Sequence, residues 1–269
     1  MTASAPFSCL SSKVFVVAGG TSGIGRAVCE TLVGAGAEVM SLDIKEPAVP
    51  SGKHIACDIT SREDLTAAAA AVAKPINGVV NAAGVSSADD PTKIMCVNLI
   101  GAMNVCSVFA PYLEERAAII NVASSAGNAW KGRESIISEF FEQLEFENLP
   151  ILVDKFEMDG RRAYIFSKEA LIYFTKRLAF TQATNSIRAL SISPGLTDTP
   201  MLPDLKRSLN PKIIERLSSF SDGQVADPRE IADVVAFALT QHASWLNGVD
   251  LIVDGGAHLV LEFSDDDVG

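Results

Sequence analysis

Histidine is scarce in this chain. Only three occur in 269 residues (His54, His242, His258), and none has an obvious partner, so a metal centre or a histidine-activated cysteine nucleophile fits poorly. Cysteine is sparse too. Cys9, Cys29, Cys57, Cys96 and Cys106 are scattered, odd in number and free of any C-x-x-C pair. That usage fits reduced, small buried thiols in a cytoplasmic protein, not a disulfide framework. Positive charge is in deficit: 22 Lys and Arg stand against 33 Asp and Glu, a net charge of −11. Nucleic acid and anionic membranes are therefore unsuited as partners. No uninterrupted apolar run reaches the length of a bilayer span. The first dozen residues lack the basic and apolar stretches of a signal peptide.

What is present is an ordinary globular balance, 48% hydrophobic and 20% charged, in a chain long enough to bury a sizeable core. Apolar strand-like runs alternate with helical patterns. Strands are expected at Val14–Ala18, Glu38–Leu42, His54–Cys57, Gly78–Asn81, Ala118–Val122, Ile187–Ile192 and Leu251–Val253. Helices are expected near Arg26–Val33, from a capping box at Ser61–Asp64 through Ala73, over Thr92–Leu113, up to about Thr181, and from Asp227 to Leu239. Uniformly apolar strands between helices predict a doubly wound, mostly parallel seven-stranded α/β sheet of the Rossmann type. One domain over residues 1–269 accommodates all of it. Two segments break the rhythm: an acidic, aromatic stretch at about 132–160, helical over Ser135–Phe146, and a polar, proline-bearing loop at about 196–226. Both suit lids or pocket walls. The acidic end around Ser264–Asp267 suits a solvated tail.

The first strand runs into Gly19-Gly20-Thr21-Ser22-Gly23-Ile24-Gly25. Glycines there allow positive φ and close approach of a pyrophosphate, and the following helix offers free N–H groups. The strand–turn–helix context is that of a dinucleotide site. Asp43 ends the second strand 18 residues after Gly25, where a carboxylate accepts hydrogen bonds from ribose hydroxyls and repels a 2′-phosphate. NAD is favoured over NADP, although Lys45 nearby would suit a phosphate. Asp58-Ile59 after the third strand are placed for the adenine. Asn81, Ala82, Ala83 and Gly84 end the fourth with residues small enough to admit cofactor. Plain turn chemistry is the competing explanation for both.

Tyr164 and Lys168 stand at i and i+4, so on a helix the phenol and the ammonium share a face. A fixed ammonium favours the phenolate and lowers the phenol pKa, giving a group that exchanges a proton with an alcohol or ketone.

Gly19-x-x-x-Gly23-Ile24-Gly25, Asn81-Ala82-Ala83-Gly84, Asn98, Asn121-Val122-Ala123-Ser124, Tyr164-x-x-x-Lys168, Pro194-Gly195 and Asn247-Gly248…Asp254-Gly255-Gly256 together resemble the short-chain dehydrogenase/reductase family. They cover about Lys13 to Ala257. Ala18 departs from the threonine usual there. The resemblance implies a tetrad: Tyr164 as general acid/base, Ser124 holding the substrate oxygen, Lys168 lowering the tyrosine pKa and binding the nicotinamide ribose, and Asn98 holding a relay water. It also implies cofactor contacts from Thr197 and Thr199. Ser124 and Tyr164 are 40 residues apart, a long separation that resembles the subgroup of 3α-hydroxysteroid dehydrogenase/carbonyl reductase and coniferyl-alcohol dehydrogenases. Bulky cyclic or aromatic alcohols or ketones follow as substrates. Trp130, Phe140, Phe141, Phe146, Phe156 and Met201 would line a pocket or pack the insertion. A homodimer or homotetramer is implied. The alternatives are a non-catalytic NAD-binding sensor and a sugar-nucleotide epimerase, for which the chain lacks a second substrate domain.

Overall fold

The computed structural model describes residues 7–208 and 225–259. Seven strands form its sheet: β1 (Val14–Ala18), β2 (Glu38–Asp43), β3 (Lys53–Ala56), β4 (Ile76–Asn81), β5 (Leu113–Val122), β6 (Arg188–Pro194) and β7 (Asp250–Val253). All neighbours pair in parallel, in the order β3-β2-β1-β4-β5-β6-β7. The doubly wound fold expected from the alternation is the one observed. Chain order reverses between β1 and β4, so a crevice opens at their carboxyl ends. The inner strands read as near-continuous apolar runs because helices cover both faces. Phe15, Val16 and Val17 are fully buried.

One face carries α1 (Gly23–Gly34) and α8 (Pro228–Leu239) against Val17, Val80, Ile120, Leu190 and Ile192. α8 begins as its sequence predicts. The Asp227 carboxylate accepts from the Arg229 N–H at 2.8 Å, and Glu230 accepts from the Asp227 N–H at 2.8 Å. The other face carries α2 (Arg62–Ala70), the long α3 (Pro91–Tyr112) and α6 (Gly160–Gln182). α2 ends three residues before the expected Ala73. Its Asp64 carboxylate is drawn back to the Asp58 N–H at 3.0 Å, so the Ser61 capping box closes on one side only.

α3 differs from its expectation in two ways. By length and composition it suits a bilayer span, with mean hydropathy 1.7 over an 18-residue window of its 22 residues. It is nonetheless a core helix, for Ile94, Met95, Leu99, Val105 and Phe109 are fully buried. Its winding also widens into a π segment over Cys96–Gly101, which places Asn98 inside an irregular turn. Single π turns inside α-helices concentrate at functional sites.

The 132–160 segment holds two helices, α4 (Glu134–Gln143) and α5 (Leu149–Lys155), where the sequence predicts one over Ser135–Phe146. Leu144 and Glu145 are extended, and Pro150 restarts the helix in its first turn. Phe140 sits fully buried between Phe156 and Phe166, at ring separations of 5.6 and 5.1 Å. Phe141 stacks on Tyr173 of α6 at 6.0 Å. The insertion thus lies along α6 as a packed layer. Of the 196–226 loop, α7 (Leu202–Ser208) follows the first turn, while residues 209–224 lie outside the described residues, as do the tail around Ser264–Asp267 and the side chain of Phe146.

Candidate active site

β1 delivers the chain into the glycine turn at the mouth of the crevice. Gly19 takes φ +80°, and a Cβ there would lie 2.5 Å from the Ala83 backbone. A Cβ on Gly25 would lie 2.1 Å from the Gly19 carbonyl oxygen. Only glycine lets the turn, the start of α1 and the end of β4 approach this closely. Ser22 is the N-cap of α1 but makes no side-chain cap, and the first turn carries no acid. The free N–H groups of that turn, with Gly23 and Ile24 among its first residues, form a cradle suited to a pyrophosphate. The Thr199 methyl lies 3.2 Å from where a Cβ on Gly23 would stand, so the start of the 196–226 loop reaches the same mouth.

Asp43 points into this cradle. Its Oδ2 accepts from the Thr21 hydroxyl at 2.7 Å and the Thr21 N–H at 3.2 Å, and its Oδ1 accepts from the Lys45 N–H at 3.1 Å. Two carboxylate oxygens offer about four acceptor sites, so capacity remains for ribose hydroxyls. Asp58 is engaged in turn chemistry: its Oδ1 accepts from the Thr60 N–H at 2.9 Å and hydroxyl at 2.7 Å. Ile59 is buried, packed where a side chain on Gly101 would stand.

Asn81 does not face the crevice with its side chain. Its Nδ2 donates to Asn121 Oδ1 at 2.7 Å, and Asn121 Nδ2 donates to Thr175 Oγ1 at 2.8 Å. This buried chain bolts β4 and β5 to α6, so the Asn81 amide serves packing and only its main chain stands at the strand end. Ala82 and Ala83 remain beside the glycine turn, the Ala82 N–H donating to the Ala18 carbonyl at 2.9 Å. Gly84 lies where a Cβ would be 3.3 Å from Asn98 Oδ1 and 4.0 Å from Lys168 Nζ. Pro194 ends β6, Gly195 abuts Asp254, and the buried Thr197 donates its hydroxyl to the Gly195 carbonyl at 3.1 Å.

Ser124 follows β5 directly and caps the 3-10 turn Ser125–Trp130, its Oγ accepting from the Ala126 N–H at 3.2 Å. The same side chain faces the Tyr164 phenol closely enough to pull its ionisation down. Lys168 stands one turn on, its Nζ 5.8 Å from the Tyr164 ring centre and donating to the Val122 carbonyl at 3.1 Å. Both are buried, at 7% and 6% exposure. Burial pushes the Tyr164 phenol above its ordinary value, with the Ser124 hydrogen bond pulling the other way. Burial also lowers the Lys168 ammonium to about 8. The sequence expectation that the ammonium brings the phenol down is therefore not what dominates: desolvation outweighs it when both groups are enclosed.

Asn98 is spent on the backbone. Its Oδ1 accepts from the Val85 N–H at 2.8 Å, and its Nδ2 donates to the Val85 carbonyl at 3.1 Å and the Ser167 hydroxyl at 3.4 Å. It pins the chain after Gly84. Phe140, Phe141 and Phe156 pack the insertion onto α6, and Trp130 takes the Lys176 ammonium at 5.1 Å from its ring. Val85, Met201 and Leu205 are among the part-buried apolar residues packed on the cluster that holds Tyr164. Ser86 ties their two segments, donating to Asp204 Oδ2 at 2.9 Å. Neither this tie nor the buried pairing of Glu169 with Arg133 has a signal in the sequence, beyond an acid next to Lys168.

The model for short chain dehydrogenases matches residues 13–135, and that for enoyl-(acyl carrier protein) reductases matches residues 148–258. A short-chain type dehydrogenase/reductase of Sinorhizobium fredii is 30% identical over 91% of this chain, which spans 43% of that protein's length. Coniferyl-alcohol dehydrogenase of a Pseudomonas species is 27% identical over 92% of this chain and 97% of its own. Among solved structures, the 3-alpha-hydroxysteroid dehydrogenase from Pseudomonas sp. B-0831, complexed with NADH, superposes with a TM-score of 0.78. It is 26% identical and covers 94% of this chain and 99% of its own.

Proposed function

The chain belongs to the short-chain dehydrogenase/reductase family, and from there we propose that it moves a hydride between NAD and an alcohol or ketone, with a bulky cyclic or aromatic substrate. One observation carries the reading: Ser124, Tyr164 and Lys168 meet at the carboxyl ends of the strands, beside the glycine turn. The names of the coniferyl-alcohol and hydroxysteroid enzymes support the substrate class. The cofactor fit rests on the cradle only glycine can line and on the uncapped first turn of α1. Asp43 supports NAD over NADP, because a carboxylate holding Thr21 would repel a 2′-phosphate.

In this reading the glycine turn, Asp43, Lys168 and Thr199 hold NAD, whose nicotinamide supplies the hydride acceptor. Ser124 and Tyr164 hold the substrate oxygen between them. Tyr164 takes the alcohol proton in oxidation and returns it in reduction. Ser124 donates to the oxygen as its charge changes. Lys168, anchored on the Val122 carbonyl, fixes the cationic side of the site. Ile24, at the start of α1, packs onto the apolar layer beneath the turn. Assembly into two or four copies belongs to the same proposal; light scattering of the purified protein tests it.

Absorbance at the NADH band, with NAD and a panel of steroid, aryl-alkyl, terpenoid and short aliphatic alcohols, tests the reading. At least one bulky alcohol should be oxidised, and Tyr164→Phe should lose about a thousandfold in turnover while still binding NAD. NAD binding without oxidation of any alcohol, or a Tyr164→Phe variant as active as the parent, sinks it.

A further inference from the structure

Glu169 follows Lys168 on α6, and its side chain is completely buried. A carboxylate there is costly unless paired. Its partner comes from the insertion: Arg133 Nη1 donates to Oε1 at 3.3 Å and lies 3.1 Å from Oε2, out of line for a second bond. The same guanidinium sits 5.8 Å from the centre of the Phe166 ring. Arg133 is also the N-cap of α4, nine residues after Ser124 in the chain. Between them the 3-10 turn is pressed onto α6: a Cβ on Gly127 would stand 2.9 Å from the Lys168 carbonyl carbon and 3.0 Å from the Glu169 nitrogen. The segment leaving Ser124 is thus pinned to the helix bearing Tyr164 and Lys168 at two places, by van der Waals contact at Gly127 and by charge at Arg133.

We propose that Arg133 and Glu169 are positioning residues, an ionic clamp between a partly exposed guanidinium and a buried carboxylate, through which the 132–160 insertion holds Ser124 in register with Tyr164. The proposal rests on the dehydrogenase reading above. Its physical basis is that a displacement of about 1 Å at a reacting centre can cost a hundredfold in rate, while the partner of a fully buried carboxylate is replaced only at high cost. Among the described residues, the polar groups facing the Tyr164 phenol are Ser124 from the turn and Lys168 from its own helix; α3 contributes Ile94 and Met95 to the cluster around it.

The test uses the full chain. Arg133→Met removes the guanidinium, Arg133→Lys keeps a cation within reach, and Glu169→Gln removes the buried charge at constant shape. Arg133→Met should lower kcat about tenfold with KM for NAD unchanged, and Arg133→Lys should recover most of it. If Arg133→Met fails to fold, Glu169→Gln carries the same expectation. A folded Arg133→Met or Glu169→Gln protein with the parent kcat, or an Arg133→Lys variant no better than Arg133→Met, overturns the proposal. A second readout needs no substrate. Phenolate absorbance, with Tyr164→Phe subtracted, follows the Tyr164 ionisation alone; in Arg133→Met its midpoint should rise as the Ser124 hydrogen bond is lost. An unmoved midpoint also overturns the clamp. A parent protein that oxidises no alcohol, with the midpoint still shifted in Arg133→Met, sinks the dehydrogenase reading and leaves the clamp standing.

Discussion

The carboxylate of Asp43 reaches back across the glycine turn to Thr21, its Oδ2 2.7 Å from the hydroxyl and 3.2 Å from the N–H. The end of the second strand and the phosphate cradle are therefore one rigid unit. Replacing Asp43 with Ser removes both the negative charge and the reach. A hydrogen bond to a charged group is worth about 1.5–3 kcal/mol, so kcat/KM for NAD should fall roughly ten- to a hundredfold. The ratio of NADP to NAD activity should rise. Initial rates with each coenzyme decide it; an unchanged ratio would mean that Asp43 does not read the ribose.

Burial raises the Tyr164 phenol and the Ser124 hydrogen bond lowers it. Alcohol oxidation needs the phenolate, so its rate at saturating NAD should climb with pH into the alkaline range, while ketone reduction holds up at neutral pH. In Ser124→Ala the lowering contact is gone, and the rising limb should move to still higher pH. A limb that moves down, or stays put, contradicts the assigned hydrogen bond.

Lys168 offers a test by stability. Its ammonium pKa falls to about 8 in the folded protein from an ordinary 10.5, through burial. Between these values the unfolded chain binds the proton and the folded one does not, so this residue makes stability rise with pH from about 8 to 10.5. Below 8 the folded protein carries the full penalty of a buried charge. Lys168→Met should remove that slope and gain up to about 3 kcal/mol at pH 7, at the expense of turnover. Urea unfolding at several pH values measures the difference between the two proteins. A variant less stable than the parent at pH 7 would show that the Val122 contact outweighs desolvation.

Phe140 is fully enclosed by Phe156, Phe166 and the flanking apolar residues of the insertion. Phe140→Ala should cost about 3–5 kcal/mol yet leave the relative preference among alcohols intact. Denaturant unfolding and the substrate panel answer the two halves separately. A changed preference with little loss of stability would return Phe140 to the pocket wall.

The parts of this protein that the sequence spells out are those whose physics is local. Val14–Ala18 is apolar at every position and runs into glycines that few other structures would require. Tyr164 and Lys168 share a face by helical spacing alone. Asp227, Pro228 and Glu230 announce a helix start in three residues. What escaped prediction depends on distant partners. Asn81 looks like a small polar residue at a strand end until Asn121 and Thr175 claim its amide. The aromatics of the insertion have the composition of a pocket, but their packing on α6 is decided by Phe166 and Tyr173. The phenol's pKa turns on how much water burial removes, which no spacing reports.

The π segment at Cys96–Gly101 carries a further meaning. Such a turn holds one residue more than its α counterpart, and each residue of a helix advances the side-chain direction by about 100°. Deleting one residue there would straighten α3 but swing Val105 and Phe109 off the sheet, or else unhook Asn98 from Val85. The helix has thus accepted a permanent misfit in its own winding, and a regularised version of this sequence would have to give up either its core or the anchor that holds the chain after Gly84.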